Sequence, residues 1–142
     1  MKASDHLINF IKRTESCRLT TYKDAKGVLT IGYGHTGADV TPGLSITQSQ
    51  AEDLLRKDLA RSEAVAARTP GIRTQGQFDA VTDFVYNCGP GNFQNSTLRK
   101  FITTGRKDWE IQEEFLKWNR SGGVKLGGLV SRRIWEAARW KE

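Results

Sequence analysis

An α+β fold is predicted by three features of the sequence. Residues 18–33 hold two strand-like segments around a tight turn, Thr47 and Thr74 open long helical patterns with Thr-x-x-Gln signals, and patterning from Thr47 onward is helical throughout. The expected arrangement is a small β-hairpin lobe, 15–46, joined by a connecting helix, 47–70, to a larger all-helical lobe of 71–142 together with 1–14. One domain is expected, because 142 residues suffice to bury a core without disulfides or metal.

The elements follow in order. Residues 4–14 predict a helix, with Ser4 or Asp5 as cap and Leu7, Ile8 and Ile11 as its apolar stripe, so Glu15 falls at or just past its end. RLTTY and VLTIGY flank the turn KDAKG as a hairpin. Alternation puts Val28, Thr30 and Gly32 on one face, where the glycine leaves room above Thr30, and Leu29, Ile31 and Tyr33 on the other. Thr47-x-x-Gln50 opens a long helix that Pro70 and Gly71 stop. Thr74-x-x-Gln77 opens a second, ending at CGPG, and shorter helices are expected near 96–103, 108–118 and 129–140, with SGGVKLGG as a loop before the last.

Composition narrows the classes. The hydrophobic fraction is 37% and mean hydropathy −0.54, and no run of eighteen apolar residues exists to span a membrane. The stretch MKASDHLINFIKRTES reads as neither signal peptide nor anchor. Cys17 and Cys88 lack a C-x-x-C partner and read as reduced thiols; with only His6 and His35 beside them, no metal or cofactor is expected. A net charge of +6 points to a polyanionic partner, whether nucleic acid, membrane face or wall polymer. Trp109, Trp118, Trp135 and Trp140 are expected in the core, and Arg132, Arg133, Arg139 and Lys141 on a solvated basic face.

The run GYGHTG fits the dinucleotide fingerprint G-x-G-x-x-G, which binds a nucleotide only where a helix opens directly behind it. Here Pro42 and Gly43 follow, so the nucleotide reading is rejected. The same region is dense in groups for a different chemistry. Glu15 at a helix end, Asp24 in the hairpin turn and Thr30 six residues on can meet on one concave surface. Two carboxylates facing across a cleft are what glycoside hydrolysis needs, one to donate a proton to the leaving oxygen and one to handle a water or the sugar cation. Taken singly, each residue also suits an ordinary structural role.

Order and context decide. The run from Glu15 to His35, ESCRLTTYKDAKGVLTIGYGH, resembles the signature of the phage-type lysozymes, the muramidase endolysins of tailed bacteriophages: Glu, then Tyr-x-Asp, then Gly-x-x-Thr-x-Gly-x-Gly-His. FDAVTDFVYNCGPGNFQNSTLRK and GGLVSRR resemble the family's later segments, and relatives often carry glycine where this chain has Ser16. The resemblance implies a lysozyme-like fold and cleavage of the β-1,4 bond between N-acetylmuramic acid and N-acetylglucosamine. It implies Glu15 as general acid and Asp24 and Thr30 as the residues that hold and activate water; a threonine there fits an inverting enzyme. Substrate-binding candidates are Thr36, Tyr86 and Asn87. Gly32 and Gly34 are expected to keep the cleft floor low, and His35 to be a structural residue paired with Asp58. Implied partners are peptidoglycan and a separate membrane-permeabilising holin, with no nucleic acid, no stable membrane insertion and a monomeric chain held in the host cytoplasm until release.

Two rivals stand beside this reading. One is a Cys/His amidase with Cys17 as nucleophile and His35 as base. The other is a helix-turn-helix nucleic-acid binder on residues 74–103, against which the turn CGPGNFQNS is too long.

Overall fold

A computed structural model describes every residue from Met1 to Glu142. The elements are α1 (Asp5–Thr14), β1 (Arg18–Lys23), β2 (Leu29–Gly32), β3 (His35–Thr36), α2 (Gln48–Ala67), α3 (Gln75–Cys88), α4 (Pro90–Gln94), α5 (Thr97–Thr103), α6 (Asp108–Leu116), β4 (Arg120–Ser121), β5 (Val124–Lys125) and α7 (Gly127–Trp140). They fall into two compact units, one of 5–60 and one of 1–4 with 61–142.

In the unit 5–60, β1, β2 and β3 form an antiparallel sheet in that order, with Thr30 opposite Tyr22 on one side and Thr36 on the other. The outer edge of β1 is covered, since Thr21 N donates to Leu44 O at 2.9 Å and Ile46 N to Leu19 O at 2.8 Å, which removes an open template for strand addition. The stripe of α1 buries Leu7, Ile8, Phe10 and Ile11. Its polar side is tied to α2, where Lys12 pairs with Glu52 and Arg56 with Asp5 at 3.1 Å. These ties explain one departure from the sequence reading: only 1–4 of the first fourteen residues join the larger helical unit, and Asp5–Thr14 group with the sheet. The expected capping box opens α2, as Gln50 N donates to Thr47 Oγ1 at 3.1 Å and Thr47 N to Gln50 Oε1 at 2.8 Å.

The second unit is built around α3, whose own box joins Thr74 and Gln77 and whose Phe78 to Val85 are all buried. Phe84 is the hub of the core, meeting Phe93, Phe115 and Trp118 edge to face at 6.0, 5.9 and 5.4 Å between ring centroids. Three details differ from the sequence reading. CGPGNFQNS contains the short helix α4, opened by Pro90 at its first position, and SGGVKLGG contains the β4–β5 hairpin and the first turn of α7. Trp109 is 57% exposed, outside the core. The third difference is electrostatic: Arg132, Arg133 and Arg139, read as a solvated face, are 6%, 0% and 9% exposed. Arg132 clasps Asp83 through Nε at 2.9 Å and Nη2 at 2.7 Å, and Arg139 reaches Asp79 through Nη2 at 2.8 Å. Guanidinium forks opposite buried carboxylates satisfy charges that would otherwise keep to solvent.

Candidate active site

Glu15 lies one residue beyond α1, half-buried, with its amide donating to Ile11 O at 2.8 Å, so the last helical hydrogen bond fixes its backbone. Asp24 is the first residue past β1 and organises the turn. Its Oδ1 accepts from the amides of Lys26 at 2.8 Å and Val28 at 2.9 Å, and its carbonyl accepts from Gly27 at 2.9 Å. Gly27 closes this turn at φ 81, a conformation that favours glycine. Both backbone donors converge on one carboxyl oxygen, which leaves Oδ2 for another partner.

Thr30 occupies the central strand. Its hydroxyl donates to Val28 O at 2.9 Å, which leaves the oxygen's lone pairs as acceptors. Val28 therefore brackets both residues: its N–H holds Asp24 and its C=O holds Thr30. The expectation of open space above Thr30 is corrected, because it is only 4% exposed. Period-two alternation assigns a residue to a face and carries no information about what covers that face.

His35 is gripped from both sides. Nδ1 lies 2.9 Å from the Asp58 carboxylate and Nε2 lies 2.9 Å from Asp39. Burial disfavours a charged ring, but the hydrogen bonds and charges of Asp58 and Asp39 prevail and raise the His35 pKa. Asp39 in turn is lowered by its bond to His35. Asp39 was missed from sequence; an acid four residues after a histidine was the available signal. Gly32 and Gly34 take φ of 64 and 87, so they are required by the turn between β2 and β3. A side chain on Gly32 would meet Ala51 of α2 at 3.5 Å, so this glycine faces a helix and does not form a cleft floor. Thr36 is exposed on β3.

Glu15, Asp24, Thr30, Gly32, Gly34, His35, Thr36 and Asp58 thus lie in one unit, while Tyr86 and Asn87, at the end of α3, lie in the other. Tyr86 is half-buried and Asn87 exposed, its Oδ1 accepting from Arg133 Nη2 at 2.7 Å. The cysteine rival loses its pair: Cys17 Sγ is 3.8 Å from Gln48 Oε1, while both nitrogens of His35 are held by carboxylates. Burial pushes the Cys88 thiol up. Within residues 74–103 of the DNA-binding rival, α3 is buried along most of its length and the segment after it contains the short helix α4 in place of a tight turn. No group of three or more His, Cys, Asp or Glu stands together as metal ligands.

Comparison with known proteins gives a consistent result. The phage lysozyme family model matches residues 12–136. The endolysin of Bacillus phage PZA is 43% identical over 141 residues, 97% of this chain and 54% of that protein. The endolysin of Acyrthosiphon pisum secondary endosymbiont phage 1 is 38% identical, covering 97% of each chain. The chain spans about half the length of the Bacillus phage endolysins that it matches. Among solved structures, a mutant of P22 lysozyme superposes with a TM-score of 0.89 at 31% identity, over 100% of this chain and 99% of that one. The muramidase domain of SpmX from Asticcacaulis excentricus gives 0.87 at 29% identity, over 98% and 97%.

Proposed function

Because the chain belongs to the phage lysozyme family, we propose that it is a muramidase of the endolysin type, hydrolysing the β-1,4 bond between N-acetylmuramic acid and N-acetylglucosamine of peptidoglycan. The observation that supports this reading is the Val28 bracket: one backbone residue hydrogen-bonds both Asp24 and Thr30, in the unit that also holds Glu15. Water gives a proton to the free Asp24 oxygen, its second O–H is directed by Thr30, and its oxygen attacks the anomeric carbon. The glycosidic C–O bond breaks as Glu15 passes its proton to the leaving oxygen. Water enters from the face opposite the leaving group, so configuration inverts.

Substrate access is assigned to a separate membrane-permeabilising protein, with the enzyme acting as a monomer after release from the host cytoplasm. No helix is long and apolar enough to cross a membrane. The net charge of +6 favours an anionic wall.

The test is mass spectrometry of digested peptidoglycan with reduced chain ends. Reducing N-acetylmuramic acid ends are expected; reducing N-acetylglucosamine ends contradict the bond assignment, new amino groups indicate amidase chemistry, and anhydro ends indicate internal cyclisation. Proton NMR in the first turnovers should show the α-anomer, and an initial β-anomer excludes inversion.

A further inference from the structure

Two asparagines near the end of α3 have side-chain polarities fixed by their neighbours. Asn87 Oδ1 accepts from Arg133 Nη2 at 2.7 Å, and the Cys88 thiol approaches the same oxygen at 3.8 Å. A guanidinium has donors only, so the oxygen must face it and the NH2 of Asn87 is turned outward. Arg133 is itself immobilised: it is 0% exposed, its Nε lies 2.8 Å from Glu136 Oε1, its Nη1 meets Cys88 Sγ at 2.6 Å, and it sits over the Phe84 ring at 5.2 Å. Asn92 is held the other way round. Its Nδ2 donates to Cys88 O at 2.7 Å, so its carbonyl oxygen is turned outward.

Both asparagines line one pocket of 370 Å³ whose wall is mixed, with Trp118 and Leu129 on its apolar part and Arg120 and Ser121 on its polar part. A fixed donor and a fixed acceptor beside the Trp118 and Leu129 side chains complement a secondary amide, which offers one C=O, one N–H and an alkyl flank, while Arg120 and Ser121 suit the polar groups around it. We propose that this pocket binds a secondary amide of the substrate, with Asn87 donating to its carbonyl, Asn92 accepting from its N–H, and Arg133 as the positioning residue that fixes the polarity of Asn87. The proposal rests on the muramidase reading. Peptidoglycan offers such an amide in its acetamido groups and in its stem peptides.

The experiment measures binding of soluble peptidoglycan strands, followed by tryptophan fluorescence, on a Glu15→Gln background so that turnover does not interfere. Asn87→Asp keeps an acceptor for Arg133 but turns the outward donor into an acceptor. Affinity is expected to fall about tenfold or more, with melting temperature unchanged or raised. Asn92→Ala is expected to weaken binding as well. Arg133→Lys should weaken binding in the Asn87 chain and add nothing in an Asn87→Ala chain, which a merely structural role would not produce. If the Asn87→Asp loss vanishes on N-deacetylated strands, the amide is the acetamido group; if it vanishes on strands stripped of peptides, it is a peptide bond. Unchanged or tighter binding by Asn87→Asp, or no binding by the Asn87 chain, overturns the proposal. Continued hydrolysis by the Glu15→Gln background instead counts against the assignment of Glu15, so the two failures are distinguishable.

Discussion

A histidine ring held between two carboxylates makes stability depend on pH at a single residue. The His35 pKa is raised in the folded chain, so its stabilisation is fully present below the unfolded value of about 6.5 and fades as pH climbs through the raised folded value. Asp58→Asn should therefore lower the melting temperature more at about pH 5 than at about pH 9. Equal losses at the two pH values contradict the charged pair. Asp39→Asn should follow the same pattern more weakly, because Asp39 has 63% side-chain exposure and its interaction is screened. Asp58 was legible as a candidate because His35 lies at a strand end facing the helix that carries Asp58, whereas Asp39 sits in a loop whose path no periodicity predicts. The burial of Thr30 was equally hidden, since alternation names faces and leaves their coverage open.

Helices α3 and α7 show what element-level patterning reveals and what it conceals. The capping boxes at Thr47 and Thr74 were legible because both partners lie within one turn. The arginines of α7 were misread because their acids lie far off in sequence: Asp79 is sixty residues from Arg139 and Asp83 forty-nine from Arg132. Asp79 is 0% exposed and also receives Ser4 and Gln75, so its removal strands buried donors. Asp79→Ala should cost ~3–5 kcal/mol in denaturant unfolding, against ~1 kcal/mol for Thr74→Ala. If the two cost the same, the buried pairs are not what joins α3 to α7. Within this cluster Asp83 is desolvated but held low by Arg132, and burial beside Asp83 pushes Glu136 well up.

Across the whole molecule, charge and chemistry separate. Arg132, Arg133 and Arg139 are paired internally, so the attraction of a +6 chain to a polyanion falls to its exposed lysines and arginines. The α+β class and the main helices were legible because each rests on local periodicity and caps, and the candidate trio because its motif runs through one short stretch, 15–35. The donor and acceptor polarity of Asn87 and Asn92 was not, since Arg133 reaches Asn87 from forty-six residues away. The proposed mechanism makes Glu15 the donor of the proton that the leaving oxygen receives. Glu15→Gln keeps the shape and removes the carboxyl group that would donate, so lysis of purified cell walls should fall by ~10²- to 10⁴-fold, with a melting temperature equal to or above that of the unsubstituted chain. Wall clearance at an undiminished rate, or a loss of activity explained by unfolding, contradicts the muramidase mechanism.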